Sequence, residues 1–593
     1  MTHSVLDPRF ERFGSTMRRQ LDRLYGADHD VDALWTRAEA ILRQRHNDRS
    51  PDLRLLDDER ARDPNWFVQS DMIGYSTYVD RFGGTIAGVA NHVAHLEALG
   101  VRYLHLLALL KAREGDSDGG FAVSDYLAIE PALGGMDDLE ALAARLREGR
   151  ISLCVDLALN HTADDHAWAL AAKAGDPFYR DFYIVLDEAD AHRREAELQQ
   201  VFPTTAPGNF TYVAAMNGWV WTTFYPFQWD LNWANPELFL AMLDTMLRLA
   251  NRGFEAFRFD STAFLWKAAG TNCRNLPPAH WIVRALRAAL DIAAPATLLK
   301  AEAIVPTALV PPYFGFDDGD GFEAECHLVY NNSLMVAGWV GLAEGSAELP
   351  SAIVQASGGL PAGANWLTYA RCHDDIGWAN VLKDLAGLDD RPLDRLRRAA
   401  SILHGDAGGW ARGEPFQADG GALHGTNGTL ASLAGLEAAE DERTREMACR
   451  RIALLHALAV ASGGLATIYM GDEAGLLNDR GYLADPEKAH EGRWLHRPAM
   501  DWAAFGNETA LRISSDLARL RAARIASGGV GASTSFHTGD DRLLGIVCGE
   551  DRVMLNFSGE PVASSVRSLD RLSNAAFSGT VEPWSVVWLE QGA

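Results

Sequence analysis

Three acids in this chain of 593 residues stand where strand-like runs of sequence stop. Gly253 opens a short, mostly apolar run, Phe254-Glu255-Ala256-Phe257-Arg258-Phe259-Asp260, which reads as a buried parallel strand ending on an acid. The same syntax recurs at Leu298-Leu299-Lys300-Ala301-Glu302 and ahead of His373-Asp374. A helix cap would account for one such acid taken alone. In closed parallel barrels, however, the working site lies beyond the C-terminal strand ends, so three acids there point to one reactive rim. Cleavage of a glycosidic bond with retention needs one carboxylate to attack the anomeric carbon and a second carboxyl group to protonate the departing oxygen, the two roughly 5 Å apart. Asp260 and Glu302 suit those tasks. Arg258 shares a strand face with Asp260 and would keep it ionised. Partial burial behind Ala301 would raise the Glu302 pKa into the range useful for an acid that later acts as a base.

Two further groups belong with these acids. Asp156-Leu157-Ala158-Leu159-Asn160-His161 ends an earlier strand, and a neutral His161 imidazole there could hydrogen-bond sugar hydroxyls, although a lone histidine is usually structural. In His373-Asp374-Asp375 the neighbouring carboxylates repel one another unless cations or substrate hydroxyls receive them. Asp374 is the candidate for bridging two ring hydroxyls and helping distort the ring toward its cationic transition state. Asp375 either faces the leaving group or caps the next segment.

The elements that must position these residues follow from patterning. Strand-like runs at Ile73 to Val79, Tyr103 to Leu107, Ile151 to Leu157, Phe254 to Asp260, Ala296 to Glu302, Trp366 to Ala370 and Leu465 to Tyr469 alternate with helical stretches. An eighth, unclear run at Leu328 to Tyr330 would complete a (β/α)8 barrel of the α/β class. Residues 1–65 read as a helical N-terminal domain with a polar linker at Asp57 to Asn65, and 526–593 as a C-terminal β-sandwich. The barrel takes 66–160, 230–376 and 432–525. The intervals 161–229 and 377–431 are too long for plain loops and read as inserted rim subdomains. The apolar region Ile452 to Met470 is interrupted by His456, Ser462, Gly463 and Gly464, so it reads as a barrel helix, a turn and a strand and not as a membrane span.

Hydrophobic residues make up 48% and charged residues 23%, which excludes a mainly disordered chain. With 54 basic and 80 acidic residues the net charge is −26, so neither nucleic acid nor an anionic membrane is an expected partner, and a neutral small molecule fits better. Six scattered cysteines without a CxxC pair argue against zinc or a disulfide framework. The N-terminus lacks the apolar core of a signal peptide, so a cytoplasmic setting is expected, with no cofactor, no metal, and a monomeric or homodimeric state.

Together, Asp156 to His161, Arg258-Phe259-Asp260, Glu302 and His373-Asp374 resemble the α-amylase superfamily, glycoside hydrolase family 13. Ser117 to Ser124, Trp221 to Phe224, Phe227 to Asn232, His373 to Trp378 and Arg493-Trp494 with His496-Arg497-Pro498 resemble its amylosucrase and sucrose hydrolase branch over nearly the whole chain. The resemblance implies a glucosyl pocket closed at its far end by an Asp118–Arg493 salt bridge, walled by Phe121 and Phe227. His161, His373 and Arg258 would contact hydroxyls or carboxylates, with a sugar such as sucrose as substrate. The chain departs from the polymer-forming relatives at Gln199, where they carry arginine, and in Gly420 to Gly428, which lacks another; Arg391 is present. A loosely held acceptor favours water, so sucrose hydrolysis is preferred over glucan synthesis or sucrose isomerisation. An α-glucosidase or trehalose-type transglucosidase, and a catalytically dead member of the fold, are the competing readings.

Overall fold

The structure, a computed structural model, describes residues 6–591 apart from 318, 320, 407–408, 418–422 and 530. Eight parallel strands close into a barrel in chain order: β1 (Ile73–Tyr78), β2 (Val101–Leu107), β3 (Ser152–Ala158), β4 (Ala256–Asp260), β5 (Leu298–Ala301), β6 (Leu328–Tyr330), β7 (Asn365–Tyr369) and β8 (Leu465–Tyr469). Pairing of β8 with β1, Ile73 opposite Ala466 and Ser76 opposite Tyr469, closes the ring. Helices cover the outer faces, so apart from the half-buried Arg102 on β2 these strands are buried along their whole length and read as apolar runs without alternation. The unclear sixth run is a strand of only three residues, too short to show any period.

The register sets the chemistry of the interior. Arg258 on β4 lies opposite Asp156 on β3 and Lys300 on β5, so one layer of the barrel is charged where such barrels are usually filled by branched apolar side chains. Before β8, the helix Glu442–Ala461 ends at a turn in which Gly463 adopts φ 76°. A side chain at Gly463 would collide with the Gly531 carbonyl, so only glycine lets the strand start there.

Two excursions cover the C-terminal rim. Residues 161–229 form short helices and a three-stranded antiparallel sheet, Val185–Leu186, Gly218–Trp221 and Phe210–Val213, and pairing of His161–Ala163 with Gln228–Asp230 ties the ends of this segment together. After β7, Ile376–Gly377, Gly425–Asn427 and Glu414–Phe416 form a second small sheet. Beyond the barrel, a six-stranded antiparallel sheet runs from Thr534–Phe536 to Val586–Leu589, with a two-stranded sheet sharing its apolar cluster. The six cysteines are free thiols, and among the described residues no helix is long and apolar enough to cross a membrane.

Of the N-terminal helices α1 (Leu6–Tyr25), α2 (Val31–Asp48) and α3 (Pro51–Arg62), the first two pack on the barrel's outer helices. Here the expected linker is corrected. Asp57 to Arg62 continue α3, and the buried Asp57 takes two hydrogen bonds from Arg49, at 2.7 and 2.8 Å, and a third from the Ala296 N–H at 3.0 Å. A polar stretch resembles a linker when its partners lie elsewhere in the chain. Breaking a buried ion pair by removing one partner costs about 3–5 kcal/mol. Arg49→Ala is therefore expected to destabilise the protein by about that amount, measured by urea unfolding followed by tryptophan fluorescence, with Asp57→Asn milder.

Candidate active site

Asp260 is the last residue of β4, Glu302 follows β5, and Asp374 lies in the loop after β7. All three line one cavity at the C-terminal rim, with Asp118, Phe121, His161, Arg258, Tyr330, His373, Asp375 and Arg493. Arg258, only 2% exposed, joins the acids: Nη1 donates to Asp156 Oδ1 and to Asp260 Oδ1, each at 2.8 Å, and Nη2 lies 3.6 Å from Glu302 Oε1. The guanidinium lies between the rings of Phe121 and Tyr330. Beneath it, Lys300 Nζ lies 3.2 Å from His105 Nδ1, and His105 Nε2 lies 3.2 Å from Asp156 Oδ1. Burial, with Lys300 alongside, lowers the His105 pKa to about 4, so this ring is neutral.

Ser261 couples the two acids. Its backbone adopts the left-handed region, φ 53°, which a non-glycine residue enters only when its surroundings hold it there. In that conformation the Ser261 N–H donates to Glu302 Oε2 at 2.6 Å and its hydroxyl donates to Asp260 Oδ2 at 2.9 Å. Burial pushes the Glu302 pKa up to about 8, opposed by Arg258 and reinforced by the charges of Asp260 and Asp374. Burial also acts against charge on Asp374, but His373, Arg493, Arg258 and Arg497 outweigh it and hold that carboxyl well below the usual range. One rim thus offers a protonated carboxyl group and an ionised one at neutral pH.

Ion pairs gather around Arg493 in the cavity lining. Arg493 donates to both oxygens of Glu491, at 2.8 and 2.9 Å, and to Asp118 Oδ1 at 2.9 Å, and its Nη1 lies 3.4 Å from Asp374 Oδ1. Gln228 donates to Asp118 Oδ2 at 3.2 Å and lies 3.0 Å from His161 Nε2. Burial lowers the pKa of His161 and, further, that of His373, so both rings are neutral; His373 stacks on Phe121 at 5.6 Å. Asp118 also borders a second hollow lined by Tyr78, Lys111, Arg113 and Trp494, so this acid touches both. Asp375 lines the cavity, and burial pushes its pKa up to about 7 with Arg493 opposing. A side chain at Gly425 would fall on the Asp375 carboxylate, so the glycine makes room for the acid.

Phe227 is not on the cavity wall. It stacks on Tyr225 at 5.1 Å under the Arg113 guanidinium, and the aromatic wall on this side is Phe224 with Phe202 and Phe416. A three-residue shift in an aromatic-rich segment cannot be resolved by composition. Arg391 is exposed at the start of a helix, and Gly420 and Gly421 lie outside the described residues. Residues not singled out from the sequence are Glu491, Gln228, His105, Lys300 and Arg274. Glu491 and Lys300 each stand two positions from a residue that was, which is the signal that could have found them. Among the described residues, Cys372, His373 and Asp374 form the one group with metal-ligand spacing, their ligand atoms within 4.8 Å of one another. Arg493 and Arg497 already face Asp374, which disfavours a cation there.

An acid-lined hollow at the C-terminal face of a closed (β/α)8 barrel defines the architectural class. Residues 45–314 match the family described as alpha amylase, catalytic domain. The chain is 30% identical to a trehalose synthase/amylase of Mycolicibacterium smegmatis over 53% of this chain and 53% of that protein. It is 33% identical to a glucosylglycerate phosphorylase of Spirochaeta thermophila over 44% of this chain and 42% of that one. It thus spans about half the length of the curated relatives it matches. The sucrose 6F-phosphate phosphorylase of Thermoanaerobacter thermosaccharolyticum superposes with TM-score 0.65 at 18% identity, covering 82% of this chain and 93% of that one, and shares the fold.

The raised Glu302 pKa has a consequence for stability. Between the ordinary value of 4.5 and about 8 the folded protein holds a proton at Glu302 that the unfolded chain has released. Glu302 therefore contributes a decline in stability as pH rises through that window, with no further loss above it. Glu302→Gln has no proton to lose, and its stability relative to wild type is expected to grow from pH 4.5 to 8, measured by thermal unfolding across that range.

Proposed function

We propose that this chain is a retaining α-glucoside-active enzyme that cleaves sucrose through a covalent β-glucosyl-enzyme, releases fructose and passes glucose to water. The observation that carries this reading is that Asp260 and Glu302 contact one buried guanidinium while lining a cavity backed by the Asp118–Arg493 pair. Asp260 attacks the anomeric carbon from within its bonds to Arg258 and Ser261. Glu302, protonated at neutral pH, gives its proton to the departing fructosyl oxygen. The resulting carboxylate then takes a proton from water as water attacks the glucosyl carbon, and the Asp260 ester bond breaks. Ionised Asp374 accepts ring hydroxyl hydrogens, and neutral His161 and His373 bond hydroxyls without adding charge.

The preference for a terminal glucose rests on the Asp118–Arg493 pair, which would close one end of the cavity to the interior of a glucan. The preference for water rests on Gln199, which is uncharged, and on Arg391, which does not line the cavity. A second reading, an α-glucosidase or trehalose-type transglucosidase, is favoured by the similarity to a trehalose synthase/amylase.

A time course of glucose, fructose and oligosaccharide from sucrose, beside maltose and trehalose, discriminates these. Equal release of glucose and fructose is expected. Glucan accumulation would defeat hydrolysis, and faster turnover of maltose or trehalose would favour the second reading. Asp260→Asn is expected to lower fructose release about 10⁴-fold. Glu302→Gln is expected to cost about 10²- to 10⁴-fold and to abolish an alkaline fall in kcat/KM centred near pH 8, read from the pH profile.

A further inference from the structure

Three arginines line the cavity: Arg258, Arg274 and Arg493. The first and third are neutralised by carboxylates, Asp156 and Asp260 for Arg258, and Glu491 and Asp118 for Arg493. Arg274 is different. Its guanidinium donates to the neutral Gln199 side chain at 2.9 Å and lies 4.7 Å from the centre of the Phe264 ring, and among the described residues no carboxylate lies within ion-pairing distance of it. The position is half-buried, and burial lowers the Arg274 pKa without removing its charge.

Arg274 also sits at a defined place along the wall. From His161, the ring of Phe224 follows at 5.3 Å, the ring of Phe264 at another 5.3 Å, and then Arg274. Two aromatic rings thus separate Arg274 from His161, as expected of a group that would meet a leaving group or an acceptor. Gln199, its partner, comes from the inserted segment after β3, so the guanidinium bridges the rim insertion and the loop following β4. A guanidinium whose fixed partners, among the described residues, are an amide oxygen and a ring face keeps donors free, and its planar fork matches carboxylate and phosphate oxyanions.

We infer that Arg274 is a specificity-determining residue that admits a small anionic acceptor, one bearing a carboxylate or phosphate group, to the mouth of the cavity. The inference rests on the reading that a glucosyl-enzyme forms on Asp260. An anionic acceptor held by Arg274 then competes with water: its oxygen attacks the glucosyl carbon, any proton that oxygen carries passes to the Glu302 carboxylate, and the bond to Asp260 breaks with its electron pair returning to the carboxylate. Neutral sugars find no ion pair there and are held less well.

The test uses α-glucosyl fluoride as donor, so that loading of the enzyme does not depend on sucrose, and follows fluoride together with the glucosylated products. Inorganic phosphate, D-glycerate and glycerol are offered in separate arms; phosphate and glycerate distinguish the two oxyanions, and glycerol is the neutral control. At least one anion is expected to divert glucosyl groups from water about tenfold better than glycerol at equal concentration. Arg274→Gln is expected to erase that preference, and Arg274→Lys to restore part of it. Calorimetric binding of the same anions to wild type and Arg274→Gln gives a readout independent of turnover. Equal partition among the three acceptors, or anion binding unchanged in Arg274→Gln, overturns the assignment. Failure to release fluoride overturns the glucosyl-enzyme instead, and the binding measurement still decides whether Arg274 receives an anion.

Discussion

One buried guanidinium organises this molecule. Arg258 is held inside the barrel by its place on β4, opposite Asp156 and Lys300, and it meets Asp260 and Glu302 where their strands end. Removing such a charge from water is costly unless several acceptors receive it, and leaving any one acceptor unpaired is costly in turn. The constraint works in both directions. The arginine needs the acids, and the acids are thereby brought within reach of one cation on two different strands. The barrel supplies the register, and the charged layer turns that register into a fixed spacing of carboxylates.

Above that layer the local environments diverge. Glu302 is driven toward its neutral form by burial and by its acidic neighbours. Asp374 is driven toward its charged form by the cations around it. Groups of one chemical type thus acquire opposite protonation states a few ångströms apart, which is how a single rim can both donate and accept protons. Ser261 keeps the geometry tight by bonding both Asp260 and Glu302 from a backbone conformation that only its surroundings sustain.

Much of this was legible in the sequence for stated physical reasons. Buried parallel strands are apolar runs, so seven of the eight stood out, and the acids that interrupt them marked the rim. Asp118 and Arg493, 375 positions apart, were paired through family resemblance, and the structure places them 2.9 Å apart. What escaped depends on tertiary context. The partners of Asp57 lie in other segments, so its stretch looked like a linker. The aromatic wall fell on Phe224 and not Phe227 because a run of rings gives no clue to which one turns inward. The unpaired state of Arg274 is defined by what does not surround it, and no local pattern encodes that.

Asp118, paired with Arg493, borders two adjoining hollows. A dead end admits only the tip of a molecule, whereas a corridor open at both ends lets a long one thread through its middle. Asp118 stands on the boundary that would separate those two modes. Evolution could move between those two modes by editing a pair of side chains, without touching the barrel or its acids.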